Sequence, residues 1–413
     1  MYGKTRSPGS RCIEVAPSPP QPPNIKELDL HCGTDTSKYE APEAALDVKM
    51  DCTSDVSSIH SADPSECSFA DGTLKGEQQR IIDLLKGQSF TIPYLSKAFP
   101  GWYVGINQHY EKIHAEESTF LDKWVERENL REMAKKVNLT LCIACFFPRT
   151  TEERLQILFE KMAWFFAFDD DADSFLRADE FADQQVVPFL KYWINPERSG
   201  PEPIVLPCCY IYRSCGPKLA VGWSEASKEQ FMDTTIEYVN CLFEVSKQRE
   251  TYLPSIEEYI EGRIINIGVY PTLDLIPFAS GIEIPQETLR HEAVQTIRYH
   301  VVRIVSLTND LFSIRKEIKD NQFDNILPLL VMRRGMTVQE AADYTVELIK
   351  ESYRIVNEAQ KRLPALEGKA KDDLAEYIEQ CKDQATGSVW FHELSPRYLG
   401  QGAFGEQEIR VQL

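Results

Sequence analysis

From about Glu77 onward, apolar residues recur at three- and four-residue spacing in one long segment after another. That is the period of helices that bury a face. The segments include "RTTEERLQILFEKMAWFFAF", "SEASKEQFMDTTIEYVNCLFEVSKQRE" and "QETLRHEAVQTIRYHVVRIVSLTNDLFSIRKEIKD". Strand alternation is nearly absent, with "FTIPYL" the one stretch that reads as extended. No repeat of 20 to 50 residues is visible, so the pattern predicts an all-α fold: a single helical bundle over residues 77–402, roughly 320 residues long. Gly87 is expected to close the short helix "EQQRIIDLLKG". Thr151 with Glu153, and Thr337 with Glu340, read as helix caps.

Both ends depart from this pattern. Residues 1–76 hold the proline run "APSPPQPPN" and the polar stretch "DCTSDVSSIHSADPSECSFADGT", and are expected to be a disordered tail. Glu14 and the acidic content after it argue against a transit peptide. Residues 403–413 are expected to be a short C-terminal tail.

A formal charge of -19 with no sustained Lys/Arg block argues against attachment to nucleic acid or anionic lipid. No window reaches the apolar length of a membrane span, and the first twenty residues lack the core of a secretory signal. A cytoplasmic protein, monomeric or homodimeric, with a small-molecule partner is the expectation. The 11 cysteines form an odd, scattered set, which fits reduced thiols better than a disulfide framework. "CIAC" at Cys142 to Cys145 has no second pair or His-x-His at zinc spacing, and reads as buried thiols. The histidines, including His109, His291 and His300, show neither HExxH nor triad spacing.

The stretch "FFAFDDDADSF", Phe165 to Phe175, places an aromatic run against four carboxylates. Carboxylates this close repel, and burying them unpaired is costly, so a cation is expected beside them. Asp169 and Asp173 stand one turn apart on one helix face. Paired oxygen donors on a rigid helix suit Mg²⁺, which takes one or two carboxylates and leaves its remaining sites to water and phosphate. Two other readings stay open here. The run could be an ordinary acidic helix end, or a calcium loop from Asp169 to Glu180, although Ser174 stands where that loop needs glycine.

A second cluster, "NDLFSIRKE", sets Asn309, Ser313 and Glu317 at i, i+4 and i+8, a spacing that drifts only about 40° per step. Amide, hydroxyl and carboxylate thus share a face, a mixed oxygen set for a hard divalent ion, with Lys316 beside it to meet an anion. The segment upstream is largely apolar, so again a polar cluster interrupts a buried helix.

Together these residues resemble the class I terpene synthases, especially the microbial type. "DDDAD" is similar to that family's DDxxD motif through Asp169, Asp170 and Asp173, and "NDLFSIRKE" to NDxxSxxKE at every defined place. Arg263 lies 46 residues before Asn309, where the family has its diphosphate-sensing arginine. "SPRYLG" resembles the terminal Arg-Tyr motif through Arg397 and Tyr398. The sequence departs from the family three places after the sensor, where Asn266 replaces an acidic or hydroxyl residue; Gly268 is the expected helix break.

The resemblance implies a single class I terpenoid synthase bundle and an Mg²⁺-dependent lyase, with three ions expected and Mn²⁺ as a substitute. Asp169, Asp173, Asn309, Ser313 and Glu317 would hold metal. Arg263, Lys316, Arg397 and Tyr398 would bind the diphosphate of an allylic prenyl diphosphate. Asp169, Arg263, Asn309, Ser313, Glu317 and Tyr398 would act in catalysis. Phe165, Phe166, Trp390 and Tyr270 are candidates to line the cation's cavity. Size favours the C15 farnesyl diphosphate and a sesquiterpene product over a monoterpene or diterpene. The alternatives are a prenyl diphosphate synthase, which carries aspartate-rich motifs on both helices, and a non-catalytic helical binding protein.

Overall fold

Residues 73–175, 185–395, 398 and 408–413 are described by the computed structural model, except for the side chains of 171–175. Helices dominate, in the order α1 Leu74–Leu85, α2 Tyr110–Trp124, α3 Glu128–Val137, α4 Leu139–Phe146, α5 Glu152–Phe175, α6 Val186–Ile194, α7 Tyr212–Leu219 and α8 Glu225–Arg249. There follow α9 Ile256–Asn266, α10 Val269–Asp274, α11 Ile276–Ser280, α12 Gln286–Leu289, α13 Glu292–Lys319, α14 Ile326–Arg334, α15 Val338–Gln360 and α16 Gly368–Leu394. The expected tail 1–76 lies outside the described residues up to position 72, and so do the calcium-loop positions Leu176 and Glu180.

The long apolar helices are interior, as their composition requires. In α5, Leu155, Leu158, Phe159, Met162, Trp164 and Phe168 are all buried, and in α13 the same holds for Val301, Val302, Ile304, Val305 and Leu311. Helix α13 packs along α15 and α16, and α16 in turn packs on α4. Gly387 makes the last contact close: a Cβ there would collide with the carbonyl oxygen of Cys145. Thr337 caps α15 in a reciprocal box with Glu340, and Ser255 caps α9 in the same way with Glu258, each satisfying backbone donors the helix cannot. Cys142 and Cys145 are buried in α4, and burial raises the Cys145 thiol well above its ordinary range, which suits a structural role.

The extended reading of "FTIPYL" has a counterpart in strand β1, Ser89–Pro93. Its partner is β2, Glu408–Gln412, antiparallel, with Phe90 opposite Val411 and Ile92 opposite Ile409. The last residues of the chain, read from sequence as a tail, therefore pair as a strand and bury Ile409 and Val411. A five-residue strand whose partner lies at the far end of the chain carries little local signal. All described residues belong to one unit, Ser65–Leu413. Among them no helix is long and apolar enough to cross a membrane.

Candidate active site

One pocket collects side chains from α5, α8, α9, α13 and α16. Asp169, Asp170, Arg263, Asn309, Ser313, Lys316, Glu317 and Tyr398 all line it. Its walls include Phe146, Met162, Phe165, Phe166, Val305 and Phe391. The two oxygen-rich helix segments and Arg263 thus share one hollow with apolar walls. The side chain of Asp173 and the whole of Arg397 lie outside the described residues.

On α5, the Asp169 carboxylate accepts the Tyr238 hydroxyl at 2.9 Å, and Asp170 is buried. Tyr238 comes from α8, and its ring stacks on Phe165 at 4.9 Å. One aromatic wall therefore supports both the acidic edge and the apolar interior. Phe165 lies tight against Gly268, where a Cβ would collide with its ring. Gly268 sits between α9 and α10 at φ +67°, a left-handed conformation that costs L side chains energy. The helix break expected there is present.

Arg263, on the last turn of α9, is tied by all three of its nitrogens. Nε donates to Asp310 Oδ1 at 3.0 Å, Nη1 to Asn266 Oδ1 at 3.2 Å, and Nη2 to Asn309 Oδ1 at 2.6 Å. Asn266 thus keeps a hydrogen bond to Arg263 where the family has an acid or hydroxyl. Asp310 is fully buried and also accepts the Tyr259 hydroxyl at 2.5 Å and the Ile326 N–H at 3.3 Å. Asn325 donates to the Asp310 carbonyl at 3.0 Å and to Glu317 Oε2 at 2.8 Å.

The face of α13 has the marks of a cation site. Burial pushes the Glu317 carboxyl up to about 7; Arg263 works against that shift and Asp310 adds to it. Such a group is a carboxylate short of positive charge. Ser313 is buried beside Glu317; its Oγ makes no well-formed hydrogen bond but lies near enough to work against the shift of that carboxyl. Among the described residues no group of three or more His, Cys, Asp and Glu side chains gathers. The donors are instead mixed amide, hydroxyl and carboxylate, which suit a hard oxygen-seeking ion. The residues present therefore fit a magnesium ion. Lys316 is half-exposed at the mouth, 3.4 Å from Asp320.

Several site residues carry no signal strong enough to be found from sequence. Asp310 is a defined place of the NDxxSxxKE match, but it lies off the stripe of Asn309, Ser313 and Glu317, and nothing in the motif's spacing tells that it holds Arg263. Tyr259 is one turn before Arg263 and could have been placed on its face. Tyr238 and Asn325 belong to other segments. His392, one residue after Phe391, faces Asn309 at 3.1 Å. Of the four aromatic candidates, Phe165 and Phe166 line the pocket. Tyr270 and Trp390 are not among its lining residues: Tyr270 lies under the Arg298 guanidinium at 5.4 Å, and Trp390 packs against the core.

Residues 161–354, from the middle of α5 through most of α15, match the family described as terpene synthase family 2, C-terminal metal binding. The chain is 27% identical to terpene cyclase braA of Annulohypoxylon truncatum, over 79% of this chain and 90% of that protein. It is 24% identical to sesquiterpene cyclase hepA of Aspergillus oryzae, over 74% and 88% respectively. The matched domain and these relatives together support a class I terpene synthase. Solved structures agree in fold. A cucumene synthase superposes with a TM-score of 0.63 at 20% identity, covering 72% of this chain and 99% of that one. Hedycaryol synthase superposes with a TM-score of 0.60 at 17% identity, covering 71% and 96%. As a terpene synthase the protein is a lyase, and the family domain it carries is a metal-binding one.

Proposed function

We propose that this terpene synthase ionises farnesyl diphosphate in a Mg²⁺-dependent reaction and cyclises the cation to a sesquiterpene hydrocarbon or alcohol. The observation that carries the reading is one pocket lined by Asp169 of α5, by Asn309, Ser313 and Glu317 of α13, and by Phe146, Phe165, Phe166 and Phe391. Relatives named as sesquiterpene cyclases support the C15 substrate.

In this reading Asp169 with Asp173, and Asn309 with Ser313 and Glu317, would hold magnesium, three ions in all. When bound, those ions supply positive charge that stabilises the departing diphosphate. The remaining work belongs to the protein. Arg263, Lys316, Arg397 and Tyr398 bind the diphosphate oxygens, with charge-assisted hydrogen bonds that strengthen as the C–O bond breaks and charge collects there. Asp310 keeps Nε of Arg263 while the two Nη groups, now on Asn266 and Asn309, are the ones available to an anion. Phe165 and Phe166 offer ring faces to the allylic cation, worth about 0.5–2 kcal/mol each. Apolar walls exclude water that would quench the cation early.

Purified protein incubated with Mg²⁺ and the C10, C15 and C20 prenyl diphosphates tests this. A cyclic C15 hydrocarbon or alcohol in the solvent extract is expected. Longer prenyl diphosphates would mean chain elongation, and no product from any of the three would leave a binding role.

A further inference from the structure

A directed chain of hydrogen bonds runs from α9 to α16 through the middle of the site. Arg263 can only donate, so the Asn309 atom 2.6 Å from its Nη2 must be the amide oxygen. The amide nitrogen then points the other way, to His392 Nε2 at 3.1 Å. At the far end, the His392 Nδ1 atom lies 2.7 Å from the Ser388 carbonyl oxygen. A carbonyl can only accept, so Nδ1 carries the proton, and in the neutral ring Nε2 is left as a bare acceptor. Both ends give the same direction independently: Arg263 to Asn309, Asn309 to His392, His392 to the backbone of α16.

From this we infer that His392 is a positioning residue that locks the Asn309 side-chain amide with its oxygen turned to the pocket. The inference rests on the proposed function, in which Asn309 is a magnesium ligand. An asparagine offers oxygen or nitrogen depending on one rotation, and only the oxygen can bind a cation. The Ser388 carbonyl sets the His392 tautomer, the tautomer makes Nε2 an acceptor, and the acceptor holds Asn309 Nδ2. The oxygen that Arg263 now occupies is the one a metal ion would take, and Arg263 can leave it for a diphosphate without the amide turning. The ring itself is held by its surroundings. His392 is 4% exposed, stacked on Tyr398 at 4.7 Å and tilted against Phe312 at 5.5 Å. The same side chain therefore links the α13 donors to the C-terminal tyrosine that lines the pocket.

Two substitutions separate the acceptor from the ring. His392→Phe keeps an aromatic ring against Tyr398 and Phe312 but removes the acceptor. His392→Gln loses the ring but can present an oxygen near the position of Nε2. Calorimetric titration of Mg²⁺ into each protein with inorganic diphosphate reads metal binding without turnover. The Mg²⁺ concentration for half-saturation should rise about tenfold or more in His392→Phe, the usual effect of losing a group that orients a metal ligand, and stay within about threefold of the unsubstituted protein in His392→Gln. Metal-free melting temperatures of the two should be similar. The inference is overturned if His392→Phe binds Mg²⁺ as tightly as the unsubstituted protein, or if His392→Gln loses as much as His392→Phe. Nitrogen NMR of the unsubstituted protein gives a test that does not depend on any variant folding. His392 should be protonated at Nδ1 with Nε2 bare, and a ring protonated at Nε2 would overturn the inference even if the proposed function held. Conversely, an unsubstituted protein that takes up no Mg²⁺ with diphosphate would sink the functional reading while the tautomer measurement still decides the lock.

Discussion

The Asp310 carboxylate, fully buried, receives Nε of Arg263 at 3.0 Å, so the arginine proposed to sense diphosphate is aimed by the residue directly after the proposed metal ligand Asn309. Asp310→Asn should therefore act on catalysis through Arg263. Breaking one side of a buried ion pair costs about 3–5 kcal/mol, and a displaced positioning group can cost about a hundredfold in rate. Steady-state kinetics should show kcat falling by that order, with a lower melting temperature. An Asp310→Asn protein with unchanged kcat would mean Arg263 needs no such support.

Asn309→Ala and Glu317→Ala should each abolish turnover and leave the helical circular dichroism spectrum intact. Both side chains line a pocket rather than fill the core, so their loss removes donors and not packing. Retained turnover in either variant would count against the assigned metal set.

Gly268→Ala should be poorly tolerated. The residue is left-handed at φ +67°, which costs an L side chain about 1–2 kcal/mol, and the added Cβ would push Phe165 from the wall it shares with Tyr238. A lower melting temperature together with an altered product ratio is expected from thermal scans and gas chromatography. A change in stability alone would place Phe165 outside the reaction's cavity.

Stability should fall as pH rises through neutrality. Glu393 of α16 accepts the Ser96 N–H and hydroxyl, and burial pushes its carboxyl up to about 7. A carboxyl with a raised folded-state pKa binds its proton more tightly folded than unfolded. Its contribution is complete below the ordinary carboxyl range and is lost as pH rises to about 7. Glu317 and Asp383, pushed up to about 7 and about 6 mainly by burial, act in the same direction. Chemical denaturation at a series of pH values should show a decline, and Glu393→Gln should flatten part of it, on the order of 2 kcal/mol. A variant with the same slope as the unsubstituted protein would show that Glu393 does not titrate in this range.

The two ends of the chain should behave oppositely when removed. Deleting residues 1 to about 70, which the sequence marks as poor in core-forming residues, should leave turnover intact. Deleting residues 408–413 removes β2 with its buried Ile409 and Val411 and uncovers Phe90 and Ile92 of β1. At about 1.5–3 kcal/mol per buried aliphatic side chain, a fall in melting temperature of about 5 °C or more is expected. An unchanged melting temperature would show that the two-stranded sheet adds nothing.

What could be read from the sequence was whatever a helix writes into local spacing. The helical class and the common face of Asn309, Ser313 and Glu317 follow from periods of three and four residues, the cap at Thr337 and Glu340 from its local signature, and the break at Gly268 from the family resemblance. Their meeting with Asp169 and Arg263 in one pocket came from motif order, and the structure places those side chains around the same hollow. The support behind them was not legible. Asp310 stood in the NDxxSxxKE match, but its role of holding Arg263 was hidden; Tyr238, Asn325 and His392 act through contacts between segments far apart in the chain, and each looks locally like a common polar or core residue. The β1–β2 pairing was hidden for the same reason. Tyr270 and Trp390 show the converse error: an aromatic side chain in an apolar helix reports burial, but not which side of the helix faces the cavity.

The account stands on α5 and α13 each holding magnesium on one diphosphate in a shared pocket. Crystals grown with Mn²⁺ and inorganic diphosphate, with the manganese located by anomalous scattering, test that directly. The prediction is manganese within about 2.0–2.4 Å of an Asp169 oxygen and of Asn309, Ser313 and Glu317, bridged by the diphosphate. Manganese bound elsewhere, or a diphosphate seated away from these side chains, would contradict it.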